Sequence, residues 1–211
     1  MTNKSNVTMM DILKGEFNIK KEKKGGIMIL ISLLQRFDSS ILLYIKDNLH
    51  GAIMDKIMVV STYLGNGGFA WIIIIAILII NKKYRKIGFI ALGALILSTI
   101  LGVGILKHVI QRIRPSADIP AINLLIEKPL SYSLPSGHAT SSFAIAGVLA
   151  KYFKHYALEI FSFASLIAFS RVYLYVHYPT DVLAGIVLGL TCSKIVIYLF
   201  NKVNCNTRAE L

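Results

Sequence analysis

The chain has 211 residues, of which 55% are hydrophobic and 16% charged, and its mean hydropathy is +0.64. This composition is too apolar for a soluble domain of that length and indicates one membrane-embedded domain. The net charge of +12 does not indicate nucleic-acid binding, because the basic residues flank apolar segments without a recognition motif, as expected of positive flanks facing anionic lipid. The two cysteines, Cys192 and Cys205, predict no disulfide framework.

Two segments precede the main apolar region. Residues 1–26 are polar and end in a basic cluster and two glycines, so we predict a flexible tail without a cleaved signal peptide. In residues 27–49 apolar side chains recur every three or four positions, which predicts an amphipathic helix lying in the membrane interface. The alternative is a membrane span, which would place Arg36 and Asp38 near mid-membrane at a cost of about 2.5 to 3.5 kcal/mol each.

Five apolar segments follow, each close to the roughly 20 residues that cross a bilayer as a helix. They cover residues 56–80, 87–110, 135–153, 156–176 and 179–200. The first contains Gly65-Asn66-Gly67-Gly68, which either bends the helix, lets another helix approach closely, or simply packs. The predicted fold is therefore all-α, a polytopic bundle of about five transmembrane helices preceded by the amphipathic helix. This membrane domain covers residues 27–203, and a short tail covers residues 204–211.

The charges of the connecting segments orient this bundle. The links at residues 81–86 and 151–155 and the C-terminal tail are basic and almost free of acidic residues, so we expect them on the cytoplasmic side of the cell membrane. The opposite side then carries the end of the second span, the following loop and the turn before Pro179. We expect the chemically interesting residues on that extracytoplasmic side.

The first polar motif follows the second span. Lys107 and Arg114 are seven residues apart, about two helical turns, so they share one face if the helix continues that far. Pro115 disfavours helix at the residue before it, so we expect the span to end about there. The alternative is that these basic side chains only cap a helix C-terminus and extend towards the membrane surface.

The second motif is Pro135-Ser136-Gly137-His138. Proline suits the first position of a helix, and the unpaired N–H groups of the next residues would form an anion site. Gly137 allows a ligand to approach the backbone, Ser136 adds a hydroxyl, and His138 lies within the first turn. A capped helix start without a ligand is the alternative.

The third motif runs from Arg171 at the end of the fourth span to Asp181 near the start of the fifth. Asp181 follows His177 by four residues, so its carboxylate can accept a hydrogen bond from one imidazole nitrogen. The other nitrogen would then be free to act as a nucleophile. An interfacial histidine paired with a helix-capping aspartate is the alternative.

Together, the three motifs closely resemble the signature of the type 2 phosphatidic-acid phosphatase superfamily, in order and with compatible gaps from Lys107 to Asp181. The resemblance implies a helical phosphatase that works through a phosphohistidine, with no metal and no cofactor. It implies that His177 attacks phosphorus, that Asp181 orients His177 and stabilises its charge, and that His138 protonates the leaving oxygen. It also implies the phosphate-binding residues Lys107, Arg114, Ser136, Gly137 and Arg171. Three cations and a helix N-terminus suit phosphoryl transfer, which mainly needs positioning and charge compensation.

The membrane spans narrow the expected function. Soluble acid phosphatases and vanadium haloperoxidases share the signature, but a site at the lipid–water boundary suits a lipid phosphate. The resemblance favours an undecaprenyl-diphosphate phosphatase, with a phosphatidylglycerophosphate or phosphatidic acid phosphatase as the alternative. The expected partners are this lipid and the bilayer, and no oligomeric state is predicted. A non-enzymatic channel or lipid-binding protein is a hypothesis from another class, but binding alone would not require the pair His138 and His177.

Overall fold

The computed structural model describes residues 27–117 and 124–209, and over these residues the regular secondary structure is entirely helical. The helices are α1 (Ile27–Asn48), α2 (Ala52–Gly65), α3 (Phe69–Ile80), α4 (Arg85–Thr99), α5 (Lys107–Ile110), α6 (Gly137–Tyr152), α7 (Ala157–Tyr173) and α8 (Pro179–Ala209). The predicted all-α class is confirmed. The N-terminal tail predicted for residues 1–26 lies outside the described residues, and α8 extends into the segment predicted as a C-terminal tail.

Four helical segments of the described chain are long and apolar enough to cross a membrane: Ala52–Ile80, Arg85–Ile110, Lys154–Tyr173 and Pro179–Val203. They correspond to four of the five predicted spans. The remaining predicted span, residues 135–153, corresponds to α6. This helix has only 16 residues, because it begins at Gly137 rather than Pro135 and ends at Tyr152. Most of its residues are buried, and it packs against α8, α7 and α4. It is therefore an inner helix of the bundle.

The glycine-rich stretch interrupts the first of these segments. Between α2 and α3, residues Asn66–Gly68 form a 3₁₀ turn. Gly67 and Gly68 have φ values of 59° and 76°, in the left-handed region that favours glycine because it has no Cβ atom. The predicted bend is confirmed.

The second span ends at Ile110, as predicted, but its last turns are irregular. After α4 the chain continues as a π-helical segment, Ile100–Leu106, and then as α5, which ends at Ile110. Gln111 has a left-handed backbone, with a φ of 52°, and therefore stops the helix before Arg114. Lys107 and Arg114 thus do not share one helical face. The irregular chain after Gln111 brings them together instead.

Residues Ile27–Asn48 form a helix, as predicted, and its position in the membrane interface stays a prediction; one of its polar residues is buried in the protein. Leu33, Leu34 and Phe37 of the apolar stripe are exposed on the protein surface, whereas Asp38 is fully buried. A buried carboxylate is tolerated when it is paired and hydrogen-bonded, and Asp38 contacts both Arg112 and Thr180 inside the bundle.

Glycine residues allow α6 and α8 to approach closely at the centre of the bundle. A Cβ atom built on Gly189 would lie 2.4 Å from the Thr140 backbone oxygen and 2.8 Å from the Ala144 nitrogen. One turn earlier, a Cβ atom on Gly185 would lie 2.8 Å from the Ser136 backbone oxygen. Small residues one turn apart permit such close packing of membrane helices. This contact determines where the start of α6 lies relative to the start of α8.

The substitution Gly189→Ala should therefore force α6 and α8 apart, because the neighbouring atoms belong to the backbone and cannot rotate away. We expect a loss of about 1 to 3 kcal/mol of stability, as for other overpacked interiors, seen as a lower thermal-unfolding midpoint in detergent. Gly51→Ala is the control, since a Cβ atom there would have no other atom within 4 Å and the backbone is extended. Equal midpoints for the two variants would contradict the close helix contact.

Candidate active site

One cavity contains most of the residues that the three motifs single out. Its volume is about 520 Å³, and six of the eight predicted site residues line it: Lys107, Arg114, Gly137, His138, Arg171 and His177. The end of α2, the following 3₁₀ turn, α4, the π-helical segment and residues 126–131 complete the wall. The other two predicted residues, Ser136 and Asp181, are fully buried and do not line the cavity.

Three cationic side chains, those of Lys107, Arg114 and Arg171, are buried at the cavity wall. Within the described residues, no carboxylate oxygen pairs with any of them within 4 Å. Their hydrogen-bond partners are uncharged oxygens and, for Arg114, also the His177 ring, so no close ion pair neutralises them. Such an arrangement favours an anionic ligand in the cavity.

Ser131 brings Lys107 and Arg114 together. Its hydroxyl oxygen lies 3.2 Å from Lys107 Nζ and 3.0 Å from Arg114 Nη2. Arg114 also donates to three backbone carbonyls, those of Ser131 (2.6 Å), Tyr132 (3.1 Å) and Val176 (2.6 Å). The guanidinium orientation is therefore determined by the backbone on both sides of the cavity.

Arg171 has an unused donor. Its Nη1 atom donates to the Thr62 hydroxyl of α2. Its Nε atom is buried and has no hydrogen-bond partner among the described residues. Because a buried polar atom without a partner is costly, Nε indicates a place for a ligand oxygen.

A tight turn after α7 positions His177. Tyr175 has a φ of 59°, uncommon for a residue other than glycine, and the N–H groups of Val176 and His177 both donate to the Arg171 carbonyl at 3.1 Å. The Tyr175 hydroxyl donates to the Leu42 carbonyl of α1 at 2.5 Å. The turn is thus held by α7 and α1.

The His177 ring lies between Arg114 and Asp181. Arg114 Nη1 is 3.0 Å from His177 Nε2, and because a guanidinium only donates, Nε2 carries its lone pair. The proton then lies on Nδ1, which faces Asp181 Oδ2 at 3.5 Å. This agrees with the predicted arrangement, in which one nitrogen faces the carboxylate and the other faces the cavity.

Burial determines the protonation states of His177 and Arg114. It lowers the pKa of His177 to about 3, although Asp181 acts in the opposite direction, so the imidazole is neutral at physiological pH. Burial also lowers the pKa of Arg114 to about 10, which still leaves the guanidinium charged. The cavity thus combines a neutral imidazole with a permanent cation beside it.

His138 is held against α2. Its Nε2 atom lies 3.2 Å from the Thr62 carbonyl oxygen and 2.9 Å from Asn66 Oδ1. Since a carbonyl oxygen only accepts, Nε2 carries a proton. Gly65 makes this possible, because a Cβ atom there would lie 2.5 Å from His138 Cδ2 and from Ile167 Cγ2. The second predicted role of the glycine-rich stretch, close approach, is also confirmed.

Ser136 is a helix cap rather than part of the cavity wall. Its hydroxyl accepts from the Ala139 N–H at 3.5 Å, and its own N–H donates to the Asp181 carbonyl at 3.0 Å. The structure therefore ties the start of α6 to the start of α8 through Ser136. Of this motif, Gly137 and His138 reach the cavity, and Pro135 precedes the helix instead of opening it.

Several residues around the site lie outside the three motifs. Ser133 donates to Asp181 Oδ2 at 2.5 Å and lies 3.4 Å from His177 Nδ1, while Thr62 and Asn66 contact Arg171 and His138 as described above. For Thr62 and Asn66, the only sequence signal was that they are polar residues within an apolar span. No sequence signal distinguished Ser131 or Ser133 from other loop serines.

The sequence model of the PAP2 superfamily matches residues 87–205, more than half of the chain. The chain belongs to the PAP2 superfamily. This confirms the family resemblance inferred from the three motifs. Together with the apolar helices, membership makes the chain a multi-pass membrane protein.

Similar proteins of known name include an undecaprenyl-diphosphatase of Sulfolobus acidocaldarius, 38% identical over 123 residues. That alignment spans 57% of this chain and only 59% of the Sulfolobus protein. Aquifex aeolicus LpxE has a similar structure, with a TM-score of 0.65, 30% identity and coverage of 75% of this chain and 93% of that one. A PAP2-type phosphatidylglycerolphosphate phosphatase from Bacillus subtilis gives a TM-score of 0.67, 28% identity and coverage of 81% and 88%.

Proposed function

We propose that this protein hydrolyses the phosphate or diphosphate group of a membrane lipid through a phosphohistidine at His177, with undecaprenyl diphosphate as the favoured substrate. One observation carries the proposal. The neutral His177 ring turns its lone pair on Nε2 towards a cavity with three unneutralised cations, and Asp181 lies on the opposite side of the ring. A site that only bound phosphate would need the cations but not this imidazole.

In the first step, the Nε2 lone pair of His177 forms a bond to phosphorus while the bond from phosphorus to the leaving oxygen breaks. Asp181 stabilises the positive charge that develops on the ring, as a buried carboxylate does in other nucleophile–histidine systems. His138 gives a proton to the leaving oxygen. Burial and the nearby Arg171 hold the pKa of His138 well below its usual range, and the negative charge of bound substrate acts in the opposite direction, towards the imidazolium form that this transfer requires.

In the second step, water attacks phosphorus, the bond from phosphorus to Nε2 breaks, and inorganic phosphate leaves. His138, now neutral, accepts the proton from the attacking water and is ready for the next cycle. Lys107, Arg114 and Arg171 compensate the charge on the phosphoryl oxygens in both steps, with Arg171 Nε as one donor available for them. Arginine can also bind two oxygens of one phosphoryl group.

The lipid character of the substrate is supported by the cavity wall. Besides the cations it includes Leu95, Val103 and Ile126, which suit the first carbons of a hydrocarbon chain. The similarity to the undecaprenyl-diphosphatase of Sulfolobus favours a polyprenyl diphosphate. The structural similarity to the phosphatidylglycerolphosphate phosphatase of Bacillus makes phosphatidylglycerophosphate the alternative.

We also propose that the cavity faces the extracytoplasmic side. The basic links near residues 82–86 and 151–155 come together at the end of the bundle that lies away from the cavity. The Tyr84 and Phe153 rings lie 5.4 Å apart there. Positive loops are retained in the cytoplasm. The cavity residues Lys107 and Gly137 lie at the opposite ends of their helical segments, and His177 lies in the turn between α7 and α8.

The substitution His177→Ala should abolish turnover, by roughly 10³-fold or more, because it removes the nucleophile. Wild-type protein quenched in base during turnover should carry acid-labile, base-stable phosphate, and His177→Ala should carry none. His155→Ala, which removes an exposed histidine far from the cavity, is the control and should keep wild-type activity. Substantial hydrolysis by His177→Ala would contradict the proposed nucleophile.

Substrate and metal independence can be tested in one assay. Purified protein should release phosphate in excess chelator, because three cations replace a divalent ion. Under these conditions kcat/KM should be higher for undecaprenyl diphosphate than for phosphatidylglycerophosphate or phosphatidic acid. A preference for phosphatidylglycerophosphate would select the alternative substrate. Loss of all activity in chelator, with recovery on adding magnesium, would contradict the proposed mechanism.

Sidedness can be tested with single cysteines in a variant without Cys192 and Cys205. Leu130→Cys, next to the cavity loop and fully exposed, should react with an impermeant thiol reagent on intact cells. Lys83→Cys, in the basic link, should react only after permeabilisation. The reverse pattern would put the cavity on the cytoplasmic side.

A further inference from the structure

Arg112 connects two buried carboxylates, although it belongs to none of the three motifs. Its Nη1 atom lies 2.6 Å from Asp181 Oδ1, and its Nη2 atom lies 2.6 Å from Asp38 Oδ2. The guanidinium packs over the Tyr178 ring, 4.0 Å from its centroid. Both carboxylates are fully buried, while the Arg112 side chain is 22% exposed. One cation is thus shared between Asp181 of the proposed site and Asp38 of α1.

Asp38 also binds the first turn of α8. Its Oδ1 atom accepts from the Thr180 N–H at 2.9 Å, and its Oδ2 atom accepts from the Thr180 hydroxyl at 2.6 Å. The N–H groups at a helix start lack partners within the helix. Asp38 therefore caps α8 from another helix and at the same time fixes Arg112. It holds the segment in which Asp181 lies.

The contacts of Asp181 are divided between its two oxygens. Oδ1 accepts from Arg112, whereas Oδ2 accepts from the Ser133 hydroxyl and the Tyr178 N–H and faces His177. Neither Arg112 nor Asp38 lines the cavity. They therefore do not contact a phosphate bound in the cavity, and the side chain that links Arg112 to the His177 ring is Asp181.

We infer that Arg112 and Asp38 are positioning residues for the hydrolysis, with Arg112 holding Oδ1 of Asp181 and Asp38 holding Arg112. This inference rests on the proposed function, in which Asp181 supports His177. Arg112 fixes the carboxylate plane so that Oδ2 faces the imidazole. Asp38 takes up part of the positive charge of Arg112, which leaves more of the negative charge of Asp181 for the ring. Helix α1, which precedes the matched residues 87–205, is thereby part of the functional site.

A double-mutant cycle tests this. Arg112→Gln should lower kcat about tenfold or more with less than about a twofold change in KM, because ground-state binding of phosphate is untouched. Asp38→Asn should also lower kcat, and the double variant should be no slower than the slower single variant, since the two act in one chain of contacts. Asp47→Asn, the same change at an exposed site on α1, is the control and should match wild type.

The pH dependence separates positioning from a merely structural clamp. The charged or titratable groups around the His177 ring are Asp181, Arg114, Arg171 and His138, and all remain in every variant. In Arg112→Gln the carboxylate of Asp181 no longer holds Oδ2 against the ring, and this loss outweighs the removal of a competing cation. Imidazolium is then less stabilised, and the acid limb of kcat/KM moves to lower pH. In Asp38→Asn the less compensated Arg112 competes more strongly for Asp181, so the acid limb of that variant also moves to lower pH. A merely structural clamp would leave the acid limb of neither variant below its wild-type position.

Each result counts for or against the inference. Wild-type kcat in Arg112→Gln, additive losses in the double variant, or an acid limb of Arg112→Gln at the wild-type position would overturn it. Rates are measured on monodisperse protein with a normal unfolding midpoint. If Asp38→Asn does not fold, Arg112→Gln is compared with Arg112→Lys instead. Arg112→Lys keeps the charge and should recover part of kcat. Absence of base-stable phosphate on wild-type protein during turnover would instead overturn the proposed function.

Discussion

A charge buried among apolar helices must be paired or must bind a ligand, because an unpaired buried charge is costly. The carboxylates of Asp38 and Asp181 meet this constraint through Arg112. The three cations of the cavity meet it only in part, through neutral oxygens such as those of Ser131 and Thr62. The molecule thus separates a neutralised set of charges, which holds the helices, from a positive set, which is left for an anion.

Interruptions of the helices direct side chains into this cavity. The left-handed residues Gly67 and Gly68 follow α2 beside His138, Gln111 ends α5 between Lys107 and Arg114, and Tyr175 reverses the chain before His177. In each case a regular helix would have carried the next polar groups away along its axis. Left-handed backbone in residues other than glycine is uncommon and needs support from its surroundings, which the Tyr175 hydroxyl finds at Leu42 of α1.

The site is larger than the segment that identifies the family. The family match begins at residue 87, yet Thr62 and Asn66 contact Arg171 and His138, and Asp38 reaches the first turn of α8. The N-terminal helices therefore do more than add membrane spans. They contact groups of the motifs from outside the matched segment.

The amino-acid sequence alone determined the helical class, the membrane character, the family and the three motifs, because apolar runs and residue spacing are local properties of a chain. It also predicted that the glycine-rich stretch would bend a span or admit a neighbour, and both occur. Only the tertiary structure decided that Asp38 faces inward, that Lys107 and Arg114 meet across a broken helix, and that Ser136 is a cap. The physical reason is distance along the chain: Asp38 and Thr180 are 142 residues apart. The burial of Asp38 depends on a cation and a helix start that no local pattern contains.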